Sequence, residues 1–267
     1  MNLLSTERQQ AILEQLDNEE KIFVAILAKN LGVTPETIRR DLDILEKEKK
    51  LKRVHGGAVK YHQTNNEPHF EKKMNLRYDA KAAIGKKAAE FIHDGDTIMI
   101  DVGTTSIHLA NSLVGVQRVT IVTNSLAAAE VLNNRLENKE FEGKVIVLGG
   151  MTNPTQKSIV GALTCKMLKD FRFDKVFLSC GGITLDNVSD YDLEESTVSS
   201  AMIKRANQVF LLADSSKIGN ESFYRICSLS EADYIICDQD MPNTWKQQKL
   251  ETMLQWITAE GDEQNEG

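Results

Sequence analysis

Two groups of residues in this 267-residue chain have the types and spacing to do chemistry. The first is Thr34-Pro35-Glu36-Thr37-Ile38-Arg39-Arg40-Asp41-Leu42, with Leu51-Lys52-Arg53-Val54-His55-Gly56-Gly57-Ala58 shortly after it. Thr34, Glu36, Thr37 and Arg40 form a set able to meet base edges in a DNA groove, while Arg39, Lys52 and Arg53 suit phosphates; the two paired arginines could exchange these roles. His55 stands with Lys52 and Arg53 where a β-wing would run beside a duplex. The second group is Asp101-Val102-Gly103-Thr104-Thr105, Thr123-Asn124-Ser125, Gly149-Gly150, Gly181-Gly182 and Asp214-Ser215-Ser216-Lys217. Each follows a strand-like apolar run. A glycine there lets backbone approach a ligand closely, and hydroxyls and N–H groups at a helix start can hold an anion. Asp101 can accept hydrogen bonds from sugar hydroxyls, and Lys217 can neutralise a phosphate or carboxylate.

The elements that must hold the first group follow from periodicity. Thr34 suits an N-cap and Pro35 the first helical position, where a missing N–H costs nothing. Ile38, Leu42 and Leu45 recur as one apolar stripe, with Arg39, Arg40 and Asp41 off it. Val24, Leu27, Ala28 and Leu31 make a shorter stripe upstream, ended by Gly32. A first helix, capped by Ser5 or Thr6, turns Ile12, Leu13 and Leu16 inward. Helix, tight turn and helix is the spacing of a helix-turn-helix, and the Gly56-Gly57 turn suits a hairpin wing. A lone Arg-Arg pair on a charged helix face would mean little; three helices, a Thr-Pro cap and a basic wing within sixty residues point to DNA.

Charge agrees locally. Residues 39–60 carry 8 Lys or Arg against 4 Asp or Glu, although the whole chain has a formal charge of −7. The basic groups are therefore gathered where DNA would lie, and a reader this modestly charged is expected to work as a homodimer or homotetramer on paired half-sites. No apolar run approaches the roughly 20 residues that span a bilayer, and the N-terminus lacks a secretory core, so a cytoplasmic protein without membrane contact is expected. Cys165, Cys180, Cys227 and Cys237 have no metal-ligand spacing and read as buried free thiols; no metal and no cofactor is expected.

Residues 1–61 read as the DNA-binding domain, 62–78 as a linker and connecting helix, 79–258 as an α/β domain, and 259–267 as an acidic tail. His62 and His69 fall in the polar linker and read as solvated. One helical pattern runs from Phe70 to Ile92. Strand-like runs at 97–101, 119–123, 144–148, 175–180, 208–214 and 233–238 alternate with helical ones at 106–113, 126–132 and 192–205. A last helix is expected around Trp245 to Ile257. Near-continuous apolar strands between helices predict a mostly parallel sheet covered on both faces, with a ligand crevice at the carboxyl ends of its strands.

Taken together, the motifs of residues 34–42, 55–58, 101–105, 122–125, 147–150 and 212–217 make the chain resemble the DeoR family of bacterial transcriptional regulators. The resemblance covers about residues 5–240. It implies a winged helix-turn-helix joined to an α/β sensor domain similar to ribose-5-phosphate isomerase. It also implies a repressor of sugar uptake or catabolism genes, controlled by a phosphorylated sugar or related metabolite. On the matching motifs, the effector-binding roles fall to Asp101, Gly103, Thr104, Thr105, Thr123, Asn124, Gly149, Gly150 and Lys217. The loop 182–192 departs from the family pattern, which leaves its contacts open. Two other readings are distinguishable: a sugar-phosphate isomerase with a DNA-binding appendage, for which Asp101, Asp192 and Asp214 are carboxylates of the right type, and an architectural DNA-binding protein whose large domain only oligomerises. A non-enzyme is expected.

Overall fold

The computed structural model describes residues 5–18, 21–48, 50–54, 56–60, 68–246 and 254–260. The chain divides into two compact units, Met1–Asn66 and Glu67–Gly267.

The first unit runs α1 (Ser5–Asn18), β1 (Lys21–Phe23), α2 (Val24–Leu31), α3 (Pro35–Lys47), β2 (Leu51–Val54) and β3 (Gly57–Lys60). Ile12, Leu16, Leu27, Ile38, Leu42 and Leu45 are buried together, so the apolar stripes of all three helices meet in one core. The wing has a third strand that the sequence pattern did not reveal: β1 pairs with β3, giving the order β1-β3-β2. Asp41 departs from its expected place. It is 2% exposed, and Arg8 of α1 holds it at 2.5 and 3.0 Å. A carboxylate can sit beside an apolar stripe when a guanidinium satisfies both its oxygens. Ser5, read as a possible cap, donates its hydroxyl to Asp41 at 3.3 Å.

The second unit opens with α4 (Phe70–Asn75) and α5 (Tyr78–Ala89). The single helix expected from Phe70 to Ile92 is thus broken. Arg77 stands at φ 53°, a left-handed conformation that no periodicity signals. Then follow β4 (Thr97–Ile100), α6 (Thr104–Ser112), β5 (Val119–Thr123), α7 (Leu126–Glu137), β6 (Gly143–Val147), β7 (Met151–Asn153), β8 (Ser158–Val160), α8 (Ala162–Leu168) and β9 (Phe173–Ser179). The chain continues through β10 (Gly182–Ile183), β11 (Asn187–Asp190), α9 (Leu193–Ile203), β12 (Ala206–Leu212), β13 (Tyr224–Ser228), β14 (Tyr234–Cys237), α10 (Asn243–Lys246) and β15 (Gln255–Thr258). The helix expected at Trp245 to Ile257 is corrected at its far end. Residues 255–258, aromatic and β-branched, pair in parallel with β14. Trp256 meets Trp245 edge-on at 6.0 Å.

Seven strands form one parallel sheet in the order β15-β14-β12-β9-β4-β5-β6. Side chains alternate across it. Ile98, Ile100, Phe177 and Phe210 pack under α5, α6 and α7, whereas Met99, Val176, Leu178 and Leu211 join the core with Leu168 of α8 and Val198 of α9. Burial on both faces is why these strands are apolar throughout. The connections reverse direction between β4 and β9, so the crevice at the ends of those two strands is the switch point of the sheet. β7 and β8 form a hairpin, and β10, β11 and β13 a small antiparallel sheet.

Candidate functional site

In the first unit, α3 begins as its sequence dictates. Thr34 caps it, its Oγ1 accepting the Thr37 N–H at 3.2 Å, and Pro35 follows in the first turn. Glu36, Arg39 and Arg40 are exposed on the helix, and Arg39 pairs with Glu36 at 3.1 Å. Arg40 has no hydrogen bond or ion pair to any other described residue, which leaves its guanidinium available for a base edge or phosphate. Arg53 is drawn elsewhere. It donates to the Arg39 carbonyl at 3.1 Å and to Asp43, and its own N–H meets Glu46 at 2.7 Å. It therefore braces the wing against α3. His55 lies outside the described residues; Lys52 lies on β2.

In the second unit, a cavity of about 140 Å³ opens at the switch point. That is many times the room a single water needs, enough for a small metabolite. Its floor is the N-terminus of α6. Gly103 precedes the helix at φ 142°, and a Cβ there would come within 2.3 Å of Ser179 Oγ on β9. Only glycine permits that turn together with that approach. Thr104 and Thr105 follow and line the cavity, where first-turn N–H groups and the helix dipole favour an anion. Lys217 closes the same wall, 5.9 Å over the Tyr191 ring. Burial pulls its pKa down, but Tyr191, Asp214, Cys180 and Asp190 together outweigh burial and raise it, so it stays charged.

Three more cations line the cavity from α4, α5 and the break between them: Lys73, Arg77 and Lys81. Lys81 is buried and donates to the Lys73 carbonyl at 2.5 Å. Burial first, and the repulsion of Lys217, Lys73 and Arg77 after it, push its pKa down to about 8 against the pull of Asp214. An anion entering this cluster would relieve that repulsion. Asp190, Glu195 and Asp214 line the cavity too. Glu195 is 3% exposed and accepts from Ser158 Oγ at 2.5 Å and Asn153 Nδ2 at 3.2 Å. Cations beside carboxylates suit a ligand with both an anionic group and hydroxyls.

The expected effector residues divide into three sets. Gly103, Thr104, Thr105 and Lys217 come together around the cavity. Asp101, Thr123 and Asn124 lie behind its wall, all at 1% exposure or less. Asp101 accepts from Ser199 Oγ at 2.6 Å and from the Val102 N–H at 2.8 Å, and burial pushes its pKa up to about 7. Thr123 Oγ1 accepts the Ser125 N–H at 3.0 Å. Asn124 lies against Asp101 and eases its ionisation, yet among the described residues neither side-chain amide atom has a hydrogen-bond partner. Gly149 and Gly150 form no part of the cavity wall; a Cβ on Gly150 would meet Thr164 Oγ1 at 2.1 Å, so it serves close packing against α8. Lys73, Arg77, Lys81 and Glu195 escaped the sequence reading. The basic spacing 73, 77, 81 along a helical pattern was the available signal, and it reads equally as a solvated face. Among the described residues no His, Cys, Asp and Glu group could hold a metal, and no helix is long and apolar enough to cross a membrane.

Two family models match the chain: a DeoR-like helix-turn-helix domain over residues 8–64 and the DeoR C-terminal sensor domain over residues 76–239. An uncharacterized HTH-type transcriptional regulator of Staphylococcus epidermidis is 41% identical over 211 residues, 79% of this chain and 83% of the relative. The glycerol-3-phosphate regulon repressor of Haemophilus influenzae is 32% identical over 252 residues, 92% of this chain and 96% of the relative. Among solved structures, ribose 5-phosphate isomerase A of Methanocaldococcus jannaschii overlaps 53% of this chain and 54% of its own, at 15% identity and a TM-score of 0.37. That likeness is too distant to carry a function.

Proposed function

The chain belongs to the DeoR family of transcriptional regulators, and from that premise we propose that it represses genes for sugar or polyol uptake or breakdown under the control of a phosphorylated metabolite. It is a DNA-binding regulator with a sensor domain. One relative is, by name, the repressor of a glycerol-3-phosphate regulon, which supports a phosphorylated effector. The carrying observation is the switch-point cavity, where the α6 N-terminus and four cations stand opposite carboxylates. The phosphate sits on Thr104, Thr105 and Lys217, and the hydroxyls face Asp190 and Glu195. Thr34, Glu36, Thr37 and Arg40 read bases, while Arg39, Lys52 and His55 approach the backbone and Arg53 braces the wing against α3. The protein works as a homodimer or homotetramer on paired half-sites in the cytoplasm.

The sensor is non-catalytic in this reading. Isomerisation needs a base within reach of the substrate carbon. Asp101, whose pKa near 7 would suit a base, stands outside the cavity wall with both oxygens engaged by Ser199 and Val102. The test is thermal denaturation of the full chain with triose, pentose and hexose phosphates beside their unphosphorylated parents. A ligand that binds only the folded form stabilises it by about 2.7 kcal/mol at a hundredfold excess over Kd. A rise in Tm with at least one phosphorylated compound is expected. No response across the panel would remove the effector role, and turnover of a phosphosugar would restore the isomerase.

A further inference from the structure

The segment 68–77 is a strap that contributes Pro68, Lys73, Leu76 and Arg77 to the cavity wall, and both its ends are tied by groups that lead back to that wall. At the near end, Thr155, Gln156 and Lys157 of the β7–β8 hairpin hold it. The Phe70 N–H donates to the Thr155 carbonyl at 3.2 Å, Gln156 Nε2 donates to the Pro68 carbonyl at 3.3 Å, and Lys157 meets Glu71 at 2.6 Å. Asn153 and Ser158, which flank that hairpin turn, are bonded to Glu195 in the cavity wall. At the far end, Arg77 Nη1 donates to Ser215 Oγ at 2.7 Å and lies 3.5 Å from Asp238, while its Nε is 3.8 Å from Asp214. Arg77 also lines the cavity. Its backbone is left-handed at φ 53°, a conformation disfavoured for a residue with a Cβ that the surrounding contacts must hold in place.

The guanidinium is half-exposed, and its carboxylate contacts at 3.5 and 3.8 Å are looser than a good bidentate pair. A phosphate seated at Thr104 and Lys217 would offer its planar fork a tetrahedral, doubly charged partner that can be gripped bidentately. In sequence, the strap follows directly on residues 61–67, which join the two units. Resting on the effector reading above, we propose that Arg77 is a ligand-exchangeable latch: an anion in the cavity draws Arg77 from Asp214 and Asp238, the left-handed break relaxes, and the strap is released at its far end. The reader unit then receives the signal through the chain that leads into the strap.

The test is amide hydrogen exchange of the full-length protein with inorganic phosphate, at constant ionic strength against chloride. Two regions decide it: amides 103–107 at the α6 start, and the amides of Leu76 and Lys81, which donate to the Lys73 and Arg77 carbonyls. Phosphate should protect the first and speed exchange of the second about fivefold or more, the low end of allosteric coupling. Protection at 103–107 with Leu76 and Lys81 unchanged or slowed would overturn the latch and leave the cavity reading standing. No protection at 103–107 would overturn both. In Arg77→Gln, Leu76 and Lys81 should exchange fast without phosphate and respond no further, with exchange in β4, β9 and β12 unchanged. Its affinity for the upstream promoter fragment should differ from wild type by about fivefold or more. A retained phosphate response at the strap, or an unchanged promoter affinity, would overturn the proposal. Should the variant fail to fold, the wild-type measurement decides alone.

Discussion

The two units keep their charges differently. On the reader, the groups offered to a partner sit in the open: the Arg39–Glu36 pair is exposed on both sides, and Arg40 is untied among the described residues. In the sensor, the polar groups near the cavity are buried, cross-bonded and shifted in pKa: Asp101 to about 7, Lys81 to about 8. The contrast teaches where each unit keeps its function. A surface that meets a polyanion needs only loose, screened charge supplied by side chains that cost the fold little. A cavity that selects one small ligand must hold its groups in place beforehand, and that burial opposes folding. Substitutions should therefore be nearly silent for stability on the reading face and loud around the sensor cavity.

The largest effect tests the sensor half of that contrast. Burial holds Asp101 protonated up to about pH 7, whereas in the unfolded chain it ionises near 3.8. A folded-state pKa above the unfolded one means the stabilising contribution is complete below pH 3.8, declines as pH rises from there to about 7, and is gone above. Asp101→Asn never ionises. Relative to wild type it should gain stability across that window, by about 4 kcal/mol at most. Urea denaturation at pH 4, 5.5 and 7.5 measures it; parallel curves for the two proteins would mean that Asp101 is not desolvated.

The next marks the exception within the reader. Asp41 is the one acidic residue of the expected recognition stretch that is buried, and Arg8 depends on it. Asp41→Asn leaves that guanidinium short of a counter-charge. A loss of about 3 kcal/mol is expected, the low end for a broken buried pair because the unit is small. Circular dichroism of the thermal transition reads it. A loss under 1 kcal/mol would place this pair with the surface ones.

The smallest concerns stability least and DNA most. Arg40→Ala should leave the melting transition in place and weaken operator binding by about 1–3 kcal/mol. If Arg40 reads a base, the loss concentrates at one base pair. Uniform weakening across sequences would assign it to the backbone instead.

Much of this was legible in the chain. Thr34-Pro35 declares its helix start, and the stripe Ile38, Leu42, Leu45 declares its buried face, because caps and periodicity are local properties. The parallel strands were legible for the same reason, as apolar runs that stop at glycine or polar residues. The left-handed turn at Arg77 was not, because its ties to Ser215 and Asp238 lie 138 and 161 residues away. Nor was β15, whose strand character comes from the β14 edge beside it. The cavity was half visible. Residues that follow strands carry a positional signal, whereas Lys73, Arg77 and Lys81 look like any basic helix face until α4 and α5 are packed against α6. Asp101 shows the converse: a carboxylate at a strand end looks like a ligand contact in sequence, and burial has turned it inward.

One measurement bears most directly on the link between the two units. The full-length protein is titrated onto its own upstream promoter fragment, followed by fluorescence anisotropy, with and without triose, pentose and hexose phosphates at constant ionic strength. Control of reading by the cavity requires that at least one phosphorylated compound change the Kd about fivefold or more, while its unphosphorylated parent does not. An identical Kd with every compound would contradict it.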